Sequence, residues 1–348
     1  VFTTILDQSL IKAKRRLFTT ATPRTYSTSL KKKASERGIE VSGMDDESIF
    51  GPVFHKLSFS AAINHTPQLL TDYQVVIVGV NEPMIASWIK NRELVRTNSG
   101  ETTNAKSLAA QLGLIKAIKD YDLKRMISFH SRVKSAEKFA TEIQDAIDVV
   151  DEEYKPNGEV WTDYVSGQMT THKRSLKLKQ LKELTRGSAG VLSNARCLAE
   201  GVDVPDLDGV AFVDPKNSQI DIVQAVGRAI RLSDNKTIGT IILPVFIEIG
   251  EDAKQSIESS NFKPIWSVIN ALRSHDDTLS FELDNFRTKL GIQGGGKINT
   301  SFSKIIFDLP ETVDTSFSES LKTYLVEKTT SSWNFGFGML KKYVAENG

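Results

Sequence analysis

The chain of 348 residues is 40% hydrophobic and 25% charged, with a formal net charge of +1, the make-up of an ordinary globular protein of two or three units at roughly 100–200 residues per domain. One cysteine (Cys197) excludes an internal disulfide framework and fits a reducing, cytoplasmic setting. Five scattered histidines, with no H-E-x-x-H and no Cys/His pairs at ligand spacing, argue against a metal held by this chain. No apolar run reaches the ~18 residues of a membrane span, and balanced charge means that any nucleic-acid contact has to be local.

The chain opens on Val1 in mid-pattern, without an initiator methionine or signal peptide, so the expectation is a piece of a longer polypeptide. "KRRLFTTATPR" is a strand candidate stopped by Pro23, "STSLKKKASERG" a basic helix ending at Gly38, "GPVFHKLSF" a further strand, and "SAAINHTPQ" a connector. From Tyr73 the pattern becomes regular. Strand-like runs "YQVVIVGV", "RMISFH", "EVWTDYVSG", "SAGVLSNA", "DGVAFVD" and "TIGTIILPVF" alternate with helical patterns. In one helix Ala136, Phe139, Ala140, Ile143 and Ile147 form an apolar stripe behind Ser131 as cap. In another, Leu176, Leu181 and Leu184 share a side amid cations. After about Phe246 the alternation gives way to helical periods around a glycine-rich loop, "GIQGGGKINT". The fold class is α/β, a mostly parallel sheet with helices on both faces, in which ligands bind at the carboxyl ends of strands.

"QAVGRAIR" (224–231) places Gln224, Arg228 and Arg231 on one helical face and Ile222, Val226 and Ile230 on another. Gly227 costs such a helix about 1 kcal/mol against alanine, which suggests a close approach to the backbone. Two guanidiniums a turn apart suit a triphosphate, because each forks toward phosphate oxygens. An isolated pair is more often a solvated face. The full Q-x-x-G-R-x-x-R pattern arises by chance in only about a few of a thousand chains of this size. Ser193, Asp203 and the two arginines are expected to converge at one sheet edge.

The pattern resembles motif VI of superfamily-two helicases and translocases of the DEAD/DEAH type. "SNARCLAEGVDVP" is similar to their motif V, "MISFHS" to motif IV, "DYVSGQMTTHKR" to the segment between those two, and "TTATP" to motif III, in the family's order. The wording is closest to bacterial, plasmid and phage helicases, including restriction-enzyme motor subunits. "FKPIWSVINALRSHDD" and the terminal "WNFGFGMLKKYVAENG" are similar to a branch with helicase-associated repeats.

The resemblance implies three parts: residues 1–68 as the tail of a first RecA-like domain and connector, 69–250 as the second RecA-like domain, and 251–348 as a mainly helical accessory region. It implies ATP and Mg²⁺ as cofactors, and DNA as partner with RNA left open. It also implies an N-terminal RecA-like domain of the same polypeptide as partner, and no membrane. Arg228 and Arg231 would contact the γ-phosphate with Gln224 as sensor. Gly201, Asp203 and Gly227 would serve the nucleotide, Asp203 through the ribose. Ser193, Asn194, Ser166, Gly167, His130 and Ser131 would touch nucleic-acid backbone. Thr20 and Thr22 would couple the domains.

In this family the phosphate loop and acidic motif precede motif III, and only eighteen residues do so in this sequence. "GIQGGGKI" fits G-x-x-x-x-G-K but has Ile298 where the magnesium-binding hydroxyl belongs and reads as a loop. "DDES" (45–48) and "DEEY" (151–154) read as surface acids. The basic stretches 12–16, 31–33 and 172–182 are candidate phosphate contacts or solvated faces. Trp161, Trp333 and Cys197 read as packing residues. The expected function is the C-terminal half of an ATP-dependent DNA helicase or translocase, inactive by itself. One rival is a motor-like module that binds nucleic acid without hydrolysis. The other, an unrelated doubly wound enzyme, requires a G-x-G-x-x-G turn that is absent.

Overall fold

The computed structural model describes residues 6, 9–20, 23, 35–36, 43–95, 105–195, 204, 206–214, 218–234, 236–248, 253–258, 262–297 and 299–348. Contacts divide the chain into two compact units, 1–57 and 58–348. In the first, Asp46 caps a single turn of helix, α1 (Glu47–Phe50), by accepting from Ser48 N at 3.0 Å, and Phe18 meets Phe50 edge-on at 5.0 Å. Described residues of "KRRLFTTATPR" form no strand, and neither does "GPVFHKL". The positive φ of Gly51 and the ring of Pro52 break the latter, and Val53, Phe54 and Leu57 are exposed. Most of the expected basic helix lies outside the described residues.

The second unit opens with the short α2 (Phe59–Ile63) and is built on seven strands: β1 (Asp72–Asn81), β2 (Arg125–His130), β3 (Val160–Ser166), β4 (Ala189–Ala195), β5 (Gly209–Asp214), β6 (Ile238–Ile247) and β7 (Ile305–Asp308). They form one sheet in the order β3-β4-β2-β5-β6-β1-β7, every pair parallel. The six strands read from Tyr73 to Phe246 are present. β7 was not legible: "IIFD" is four residues long, too short for a period to register.

Alternate residues of each strand feed cores on opposite faces. Val76, Val78 and Val80 of β1 pack with α3 (Glu82–Val95), α4 (Ala105–Asp120) and α5 (Val133–Val149), whose stripe of Ala136, Phe139, Ala140, Ile143 and Ile147 is buried as expected. Val75 and Ile77 face the other core. There lie α6 (Thr171–Lys182), α7 (Gln219–Ala229), α8 (Ala253–Glu258), α9 (Lys263–Arg273), α10 (Asp277–Gln293) and α11 (Thr315–Thr329). Residues 251–348 therefore share the sheet's own core and supply its seventh strand.

Two local expectations need correction. Ser131 does not cap α5; the N-cap is Arg132 without a side-chain bond, because the Ser131 hydroxyl donates to the Asp214 carboxylate. Leu176 is exposed, and Leu178 with Leu181 and Leu184 makes the buried side of α6. The terminal α12 (Ser332–Asn347) crosses α10 closely: a Cβ on Gly338 would stand 2.1 Å from Thr288 O, and one on Gly291 2.1 Å from Phe335 O. Gly294 closes α10 in the left-handed region, so the glycine-rich segment begins as a helix terminator. Among the described residues no helix is long and apolar enough to cross a membrane.

Candidate functional site

α7 carries most of "QAVGRAIR". It starts at Ser218, whose hydroxyl accepts from Asp221 N, and buries Ile222, Val223, Ala225, Val226 and Ala229 against the sheet. Regular helix ends at Ala229. Arg231 therefore stands past the helix rather than on its face, in an isolated antiparallel bridge with Leu70 just before β1. Thr71 secures the turn: its N–H donates to Ile230 O at 2.8 Å and its hydroxyl to Arg231 O at 3.2 Å. Arg228 is buried, Arg231 is exposed, and Gln224 and Gly227 are half-buried. A Cβ on Gly227 would meet nothing within 4 Å, so this chain itself makes no close approach there.

The arginines and the serines do not share a sheet edge. A helix that follows β5 and packs on a parallel sheet runs back toward the strands' amino ends, so the arginine turn arrives beside Leu70 and Gly239. Ser193 pairs with Ser128, which lies level with Ala211 and hence Ile242. Leu70 precedes Asp72, the partner of Ile238. At ~3.3 Å per residue the two groups are roughly 20 Å apart along the strands.

The amino edge is rich in charge. Asp208 accepts from Lys124 N at 2.8 Å and Arg125 N at 2.9 Å, yet burial pushes its carboxyl up to about 6. Ser233 donates to Asp206. The Lys236 ammonium donates to Ala229 O and to Leu207 O, both at 2.9 Å. Burial lowers Lys236 to about 8, with Asp208 and Asp206 opposing that shift and Arg231 adding to it. Next along, the hydroxyl of Tyr73 donates at 2.8 Å to the fully buried Asp276, which also caps α10 through Leu279 N. Lys304 completes the group 3.6 Å from Asp276 and 4.2 Å above the Tyr73 ring. Sequence reasoning missed Lys236, Asp206 and Tyr73–Asp276. A cation soon after a helix end was the available signal for Lys236; the 203-residue separation of Tyr73 and Asp276 left none.

At the carboxyl edge an uncharged chain of side chains is buried beside the exposed carboxylate of Asp214. Ser193 is wholly buried and accepts from Ser128 Oγ at 3.0 Å, and Ser128 Oγ lies 3.0 Å from His130 Nε2. Because the Ser128 proton goes to Ser193, the imidazole donates through Nε2. Burial lowers His130 to about 4, against the pull of Asp214, so the ring is neutral near pH 7. Asn194 and Ser166 are buried as well. Ser193, Asn194 and His130 on the inner strands β4 and β2, and Ser166 at the end of the edge strand β3, are thus covered by their neighbours. Gly167 is exposed in the turn after β3 and Ser131 is half-buried. Thr20 is exposed in the first unit; Thr22, Gly201, Asp203 and Cys197 lie outside the described residues.

A parallel seven-stranded sheet with helices on both faces, an arginine-bearing turn at one edge and a hydroxyl cluster at the other defines a RecA-like domain. Residues 111–233 match the family described as the Helicase conserved C-terminal domain. It is 27% identical over 269 residues to "Probable helicase A859L" of African swine fever virus, covering 76% of this chain and 26% of that protein. The solved ATP-dependent Type ISP restriction-modification enzyme LlaBIII, bound to DNA, superposes with a TM-score of 0.71 at 28% identity. That match covers 95% of this chain and 22% of LlaBIII. The chain therefore spans about a quarter of each of these two proteins.

Proposed function

We propose that this chain is the second motor domain of an ATP-dependent DNA translocase or helicase. Its amino edge completes a composite ATP site, and its carboxyl edge and α6 follow nucleic-acid backbone. The observation that carries the reading is the placement of Arg228 in the last turn of α7 and of Arg231 just past it, at one edge of the sheet and inside the segment that matches the helicase family. Guanidiniums there fit the anionic phosphates of a nucleotide. Among the described residues no group of three or more His, Cys, Asp or Glu could hold a metal; in this reading Mg²⁺ and the phosphate loop belong to a partner RecA-like domain of the same polypeptide, acting in the cytoplasm. When bound, the nucleotide supplies the phosphoryl group whose developing charge the arginines stabilise.

Gln224 orients from the middle of α7, Gly201, Asp203 and Gly227 serve the nucleotide, Asp203 through the ribose, and Thr20 and Thr22 couple the domains. On the other edge the exposed Gly167, with Ser131, makes the backbone contact and exposed His172 and Lys173 at the start of α6 add phosphate contacts, which Lys179 and Lys182 extend along the helix toward the amino edge. Ser193, Asn194, Ser166 and His130 hold that edge in shape from beneath.

The test is a pair of assays. The 348-residue chain releases phosphate from ATP only at background, and the polypeptide extended through a phosphate-loop domain hydrolyses it with stimulation by DNA. Nucleic-acid binding by the chain weakens as salt rises. Robust turnover by the isolated chain, or affinity indifferent to salt, overturns the reading.

A further inference from the structure

We propose that Lys236 is a positioning residue of the arginine edge: its ammonium ties the carbonyl that closes α7 to the carbonyl of Leu207, and so fixes where Arg228 and Arg231 stand. This rests on the reading given under Proposed function. The geometry is a two-point tie, with Ala229 O and Leu207 O each 2.9 Å from Nζ. One carbonyl belongs to the last residue of the arginine helix; the other belongs to the segment that runs from Asp203 into β5. A helix C-terminus carries unsatisfied carbonyls and partial negative charge, which a cation stabilises.

An ammonium is strongly hydrated and costs energy to bury, so a lysine held half-buried between two main-chain oxygens is a poor choice for surface solubility. It is a good one for setting a turn. The same turn is held from its far side by Thr71, through Ile230 O and Arg231 O. Lys236 and Thr71 thus grip the arginine turn from two directions, one from the chain after it and one from the chain before β1.

The charged groups that face Lys236 are Asp206 and Asp208 before β5 and Arg231 after α7, with Arg125 of β2 acting on Asp208. Burial brings the ammonium to about 8, which separates two pH effects. The charged tie weakens as pH rises through 8, so turnover falls there. Stability moves the opposite way: the unfolded lysine stays protonated to about 10.5 while the folded one releases its proton, so folding is favoured as pH climbs from about 8 to 10.5.

The test uses Lys236→Met and Lys236→Arg. In the 348-residue chain, Lys236→Met raises hydrogen exchange at the amides of 228–233 and 206–208, and Lys236→Arg restores protection. In the polypeptide that includes a phosphate-loop domain, Lys236→Met lowers kcat about tenfold or more with the ATP KM nearly unchanged, as for loss of transition-state positioning. Lys236→Arg, permanently charged, removes the decline of turnover above pH 8. Unchanged exchange in Lys236→Met overturns the tie. Raised exchange with wild-type kcat and pH profile leaves the tie but overturns positioning. A wild-type polypeptide that hydrolyses no ATP sinks the underlying reading and positioning with it, while the exchange result still decides the tie.

Discussion

The two ends of the sheet solve different physical problems. At the carboxyl end, Ser128, Ser193 and His130 satisfy one another in a buried, uncharged chain of hydrogen bonds, an arrangement that resists change. At the amino end, charged groups gather: Asp208, Asp206 and Arg231 act on the protonation of Lys236, and Lys236 and Asp208 are anchored to main-chain atoms. The contrast teaches that a parallel α/β sheet can keep its shape-holding polar groups and its chemistry-bearing ones roughly 20 Å apart, joined by stiff strands.

The largest expected effect breaks that contrast at its exposed arginine. Arg231→Ala lowers ATP turnover of the polypeptide with its phosphate-loop domain by ~10³-fold or more, and Arg231→Lys does not rescue it because a point charge lacks the fork. Its stability stays within about 0.5 kcal/mol of wild type, as for other surface changes. Arg228→Ala loses turnover similarly but also melts earlier, since Arg228 is buried rather than facing an open cleft. Steady-state hydrolysis and melting on both variants check this.

Next comes Asp276→Ala, which removes the α10 cap and strands the Tyr73 hydroxyl, while Lys304 keeps its pairing with Asp72. It lowers unfolding free energy by about 2–4 kcal/mol, from the lost cap and the unpaired buried hydroxyl, read as the urea midpoint.

The smallest effect sharpens the carboxyl side. His130 is held at about 4 in the fold against 6.5 ordinarily, so the unfolded chain takes up a proton that the folded one refuses. Stability therefore drops as pH falls from about 6.5 to 4, by at most about 3 kcal/mol. His130→Gln flattens that part of the urea-midpoint profile; an unchanged slope assigns it to other groups.

The six long strands and the α5 stripe were legible because burial on both faces writes itself as apolar runs or a 3.6 period. The family signature in "QAVGRAIR" was legible because it is local. What was not legible depends on three-dimensional return: that α7 brings its arginines to the opposite end from Ser193, that Arg231 falls past the helix, and that serines at strand ends are sealed over. Lys236 escaped for a related reason. Its partners are main-chain oxygens of Ala229 and Leu207, and main-chain partners leave no side-chain signature in sequence.

The sheet's strand order also has a consequence in time. β1 is the earliest of the sheet's seven strands to be synthesised, yet its two neighbours are residues 238–247 and 305–308. At roughly 5–20 residues per second, translation delivers the earlier of them on the order of ten seconds after β1. For that interval the ten-residue run Asp72–Asn81, apolar toward both faces, has open hydrogen-bonding edges on both sides. A ribosome that stalls before residue 304 leaves one of those edges bare and also withholds Lys304, the cation over Tyr73. The nascent chain is most open to aggregation during this wait, and synonymous changes that slow decoding between residues 82 and 237 would lengthen it.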